Sequence, residues 1–101
     1  RDATTPLGPW IVDAADIPDP QALAITTSVD GRIVQSGSTR DMVLDVAGLI
    51  EYLSETMTLL PGDMILTGTP QGLHFVSPGE RVVCEIEGVG ALVNHVEAAA
   101  R

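Results

Sequence analysis

The sequence predicts a mainly β domain carrying one helix, and three observations lead there. Two β-prone runs, "ALAITTSV" and "RIVQSGS", flank Asp30-Gly31, a pair in which both residues tolerate positive φ and therefore favour a tight hairpin. "ERVVCEIEGVGALVNHVEA" (80–98) reads as two further strands around Gly88–Gly90. Between them, Val46, Leu49, Ile50 and Leu53 fall at i, i+3, i+4 and i+7, one face of a single helix. Glycine-marked turns suggest a curved sheet or barrel-like roll.

The elements follow in order. "PLGPWIV" (6–12) is a proline-pinned entry into a short extended segment at Trp10–Val12. "DAADIPDPQ" (13–21) is a proline-rich connection in which helix does not persist. After the hairpin, Asp45 stands where an N-cap should, and the helix is expected to fade near Thr56–Thr58 before the turn "LLPGD". That helix is expected to cover a sheet. "DMILTG" (63–68) reads as a short, buried apolar strand. In the next strand, Val82, Cys84 and Ile86 share one face, and Val83, Glu85 and Glu87 the other.

Composition narrows the function classes. The 101 residues make one domain or part of one, and only three are aromatic: Trp10, Tyr52 and Phe75. Any core is therefore aliphatic. A formal net charge of −9 argues against nucleic acid and anionic membranes as partners. No apolar run reaches membrane-spanning length, and no signal-peptide pattern opens the chain. All five basic residues are arginines. Cys84 is the only cysteine, and its strand setting predicts a small buried hydrophobe rather than a nucleophile. Reduced cytoplasm is the default compartment. The chain begins at Arg1 rather than Met, as a fragment, a processed product or an incompletely recorded sequence would.

Two stretches could carry chemistry. "CEIEG" holds Glu85 and Glu87 at strand spacing, either a solvated face or a cation-binding pair. His74 and His95 lack zinc spacing and read as ordinary loop and strand-end residues. "TGTPQG" (67–72) places two threonines, a proline and two glycines directly after an apolar run. Such a turn frees backbone N–H groups from a ladder and sets a hydroxyl beside them, as an anion cradle would. Glycine and proline mark ordinary turns as well, and that reading stays open here.

In combination, "PLGPWIV", "VDGRIVQSG", "STRDMV", "LIEYLSETMTLLPGDMILTGTPQG" and "PGERVVCEIEGVGALVNHV" resemble, in order, the C-terminal part of the fumarylacetoacetate hydrolase catalytic domain. The resemblance covers nearly the whole chain. It implies the C-terminal portion of a mixed β-roll, incomplete as given, within a cytoplasmic homodimer. It implies a divalent cation, Mg²⁺ or Mn²⁺, and a small 2-oxo or 2,4-dioxo acid that is hydrolysed, isomerised or decarboxylated, as in aromatic-compound breakdown. It gives Thr69 contact with the substrate carboxylate, with Gly68, Pro70 and Gly72 shaping the approach. Glu85 matches a strand glutamate that in the hydrolases pairs with a histidine of the N-terminal part. The family's acidic metal ligands and active-site lysine belong to segments preceding "PLGPW", so no metal ligand is expected in this chain. The competing reading is a non-catalytic remnant or a dimerisation and binding segment.

Overall fold

The computed structural model describes residues 5–99. Its centre is a four-stranded antiparallel sheet in the order β2-β1-β3-β4, built from β1 (Ala24–Val29), β2 (Arg32–Ser38), β3 (Arg81–Ile86) and β4 (Gly90–His95). One helix, α1 (Val46–Ser54), follows β2. The expected fold class and both strand pairs are therefore present.

Local chemistry explains these elements. Asp30 and Gly31 take φ of 49° and 82°, the left-handed values that a two-residue turn between twisted strands requires. Asp30 also ties the hairpin tip to β3: its N–H donates to the Arg81 carbonyl (2.9 Å), and its Oδ1 accepts from the Arg81 N–H (2.9 Å). Asp45 caps α1 by accepting from the Gly48 N–H at 2.7 Å. Gln21 satisfies a further orphan donor there, accepting from the Val46 N–H (2.7 Å) while its amide donates to the Thr39 carbonyl (2.8 Å). One side chain thus ties the start of α1 to the end of β2. The proline-rich connection forms only a single 3-10 turn, Ala14–Asp16, capped by Asp13.

Register sorts the residues onto two faces. Gln35, Thr27, Cys84 and Leu92 stand opposite one another across the four strands and share one face. Ser36, Thr26, Glu85 and Ala91 share the other. The β1–β2 pairing passes from Thr27↔Gln35 directly to Ser28↔Ile33, so Val34 is the extra residue of a β-bulge. Trp10 lies over the β3–β4 turn on the Gln35 face, its indole N–H donating to the Val89 carbonyl at 2.6 Å.

Three expectations are corrected. "DMILTG" forms no strand: an apolar run becomes one only beside a partner, and none of the described residues supplies its ladder. Met64 and Leu66 are accordingly 58% and 83% exposed rather than buried. Cys84 is exposed, because its stretch of the sheet face is left uncovered. The helix covers little of the sheet. Val46, Leu49 and Leu53 are only half-buried, and no residue of α1 is fully buried.

Among the described residues, Val29 is the one buried hydrophobic side chain. The radius of gyration, 15.3 Å, exceeds the ~13 Å of a compact chain of this length. So little burial cannot offset chain entropy. We therefore expect the 101-residue polypeptide alone to melt broadly, with no cooperative transition by circular dichroism. A sharp two-state melt of a monomer would contradict this.

Candidate functional site

The Thr67–Gly72 turn lies against the outer strand β2 on the Gln35 face, where two residues of β2 receive it. The Gln35 side-chain amide donates to Thr69 Oγ1 (3.3 Å), to the Pro70 carbonyl (3.1 Å) and to the Gly72 carbonyl. Two residues on, Gly37 leaves room for Pro70: a Cβ there would lie 3.0 Å from the proline Cβ. Gln35 and Gly37 are i and i+2 on one strand and therefore point the same way.

Both glycines of the turn take positive φ. Gly68 takes φ 94° with open space around it, so backbone freedom is what it supplies. Gly72, at φ 113°, faces Gln35 Cγ and the Val34 carbonyl, each 3.5 Å from where a Cβ would stand. A Cβ would meet both in ordinary contact, so here too the positive φ is what asks for glycine. Among the described residues, the backbone N–H groups of the turn find no acceptor within the chain.

With the turn so placed, a cleft of about 490 Å³ opens between it, the Ser36–Thr39 end of β2, and the apolar Met42, Leu44 and Leu49. Thr67, Gly68, Thr69 and Pro70 form one wall. Ser38 and Thr39 use their hydroxyl oxygens to accept from the N–H groups of Arg40 (3.2 Å) and Leu23 (3.0 Å). Asp41 brings a carboxylate to the same cleft. The space is of a size for a small organic acid, with uncharged donors on one wall and an apolar wall facing them.

The other candidates lie elsewhere. Glu85 is exposed on the opposite face of the sheet, beside Thr26 and Ala91, and is not brought to the Thr69 turn. Glu87 lies beyond the end of β3, where its Oε1 accepts from the Ala24 N–H at 3.2 Å, so it forms no free pair with Glu85. His74 is exposed in a loop, and His95 ends β4. Among the described residues, no three His, Cys, Asp or Glu side chains come together as a metal site. No helix among them is long and apolar enough to cross a membrane. Sequence reasoning missed Gln35. In an alternating strand it reads as a solvated polar position, and its partners lie 34 to 37 residues away.

The fold and cleft define an antiparallel β scaffold with a glycine-threonine turn along one wall of a small cleft. The model of the fumarylacetoacetate (FAA) hydrolase C-terminal domain matches residues 1–97, and the chain belongs to that family. It is 55% identical over 96 residues to a 4-hydroxyphenylacetate degradation bifunctional isomerase/decarboxylase of Salmonella dublin, covering 95% of this chain and 22% of that protein. Among solved structures, it is similar to maleylpyruvate hydrolase from Sphingobium sp. SYK-6, in complex with manganese(II) and pyruvate. The TM-score is 0.86 and the identity 42%, covering 89% of this chain and 34% of the other. It is also similar to 5-carboxymethyl-2-hydroxymuconate delta-isomerase from Mycobacterium smegmatis, with TM-score 0.84 and 40% identity, over 93% of this chain and 36% of that one. The chain thus spans about a fifth to a third of the length of these relatives.

Proposed function

We propose that this chain supplies the carboxylate-binding wall of an enzyme of aromatic-acid catabolism that hydrolyses, isomerises or decarboxylates a 2-oxo or 2,4-dioxo acid. One observation carries the reading. The Thr69 oxygen accepts from Gln35, which leaves its hydroxyl hydrogen free at the cleft wall beside unpaired backbone N–H groups. Neutral donors held in fixed directions suit a carboxylate, because they bind the charge without having to be reorganised. Gly68, Pro70 and Gly72 set the direction from which the ligand is met. The maleylpyruvate hydrolase solved with pyruvate supports an acid of this size.

The same reading gives the whole protein a divalent cation, Mg²⁺ or Mn²⁺, and the manganese in that relative supports it. The residues described here do not fit such an ion, since no three ligating side chains converge. Its ligands are assigned to other segments of the whole protein. The isolated chain would not catalyse. Glu85, turned to the other face, is assigned no contact with the carboxylate. Pairing with a histidine from elsewhere in the whole protein would affect turnover and leave carboxylate binding unchanged. Homodimerisation rests on the family resemblance, and a cytoplasmic setting on the cysteine usage.

Titrating the whole protein with oxalate or pyruvate, with Mn²⁺ supplied, tests the assignment: Thr69→Val should weaken binding, and unchanged affinity would remove Thr69 from the site. Asp41 gives the reading a second handle. Its carboxylate lines the same cleft and repels an anionic ligand, so Asp41→Asn should tighten oxalate binding about twofold to fivefold. The gain should shrink as salt is raised. Weaker binding in that variant would mean that Asp41 holds something the ligand needs.

A further inference from the structure

We propose that Gln35 is a positioning residue that sets which way the Thr69 hydroxyl donates; this rests on the carboxylate-binding reading of the turn. The Pro70 and Gly72 carbonyls can only accept, so the amide face that meets them must be the NH₂ group. That same nitrogen meets Thr69 Oγ1 at 3.3 Å and can only donate to it; with two hydrogens for three acceptors, it does so through a hydrogen shared with a carbonyl. Thr69 is therefore committed as an acceptor toward β2, and its own hydrogen is left for an acceptor on the cleft side. A hydroxyl that would otherwise rotate freely is given one direction.

The strand is built to hold this amide. The bulge at Val34 adds a residue immediately before Gln35, and bulges re-aim the side chains beside them. Gly37 admits Pro70 beside Gln35, so the turn closes onto the amide. Gln35 is half-buried, which shields these bonds from competing water.

A role in merely pinning the turn differs from this one in a double-mutant cycle on the whole protein, read as oxalate affinity with Mn²⁺ supplied. Gln35→Met frees the Thr69 hydroxyl to rotate and should weaken oxalate about fivefold. Gln35→Glu, nearly isosteric, offers only acceptors, so the Thr69 hydrogen turns inward and the loss should approach that of Thr69→Val itself, about tenfold or more. In the Thr69→Val background, Gln35→Met should cost clearly less than it does alone, only what the lost carbonyl bonds contribute. An equal loss from Gln35→Met in both backgrounds overturns the inference and leaves the Thr69 reading standing. No loss on Thr69→Val overturns that reading and the inference with it. If Gln35→Met does not fold, Gln35→Asn, which withdraws the amide by one methylene, is compared in the same two backgrounds, and equal losses again overturn the inference.

Discussion

Thr69→Val in the whole protein is expected to weaken oxalate or pyruvate binding about fivefold to a hundredfold, corresponding to ~1–3 kcal/mol for one hydrogen bond to a charged group. Valine keeps the shape of threonine and removes only the hydroxyl, so the turn keeps its course. Thr69 is exposed, and its removal leaves no buried polar group unsatisfied on the turn. Gln35 keeps its bonds to the Pro70 and Gly72 carbonyls. Melting behaviour should therefore stay unchanged while affinity falls. A fall in melting temperature that tracks the loss of binding would mean that the hydroxyl holds the fold and not the ligand.

Gly90→Ala is expected to destabilise the whole protein by about 2–3 kcal/mol. Two costs coincide at this position. Gly90 takes φ 137°, a region that L side chains avoid. The added Cβ would also stand 2.9 Å from Trp10 Cζ2, pressing on a ring that the Val89 carbonyl holds by a 2.6 Å hydrogen bond. Gly62→Ala separates the two terms. Gly62 has φ 95° with nothing within 4 Å, so it carries the conformational cost alone, about 1 kcal/mol. Equal losses in the two variants, measured by denaturant unfolding, would mean that Trp10 is not seated on the β3–β4 turn.

What could be read from the sequence is what local chemistry decides. The Asp30-Gly31 hairpin, the Asp45-capped helix and the β3–β4 pair were each legible because a turn residue, a cap or a periodicity lies within a few positions of its effect. "DMILTG" misled because an apolar run says nothing about whether a partner strand lies beside it. Cys84 misled for a related reason: alternation places it on a face but does not say what covers that face. At the site, the Thr67–Gly72 turn could be picked out from its glycines and hydroxyls. Its support could not. The bulge at Val34, the amide of Gln35 and the space at Gly37 all act on residues more than thirty positions away. Trp10 is farther still from the turn it covers, 79 residues in the chain. Such contacts are properties of the sheet, and they become visible only once β2 is laid beside the turn.

The most direct test is a crystal structure of the whole protein with Mn²⁺ and oxalate bound. We expect the Thr69 hydroxyl oxygen within about 3 Å of an oxalate oxygen, with the Gln35 amide nitrogen on its other side. A bound oxalate with the Thr67–Gly72 turn facing away from it would contradict the account.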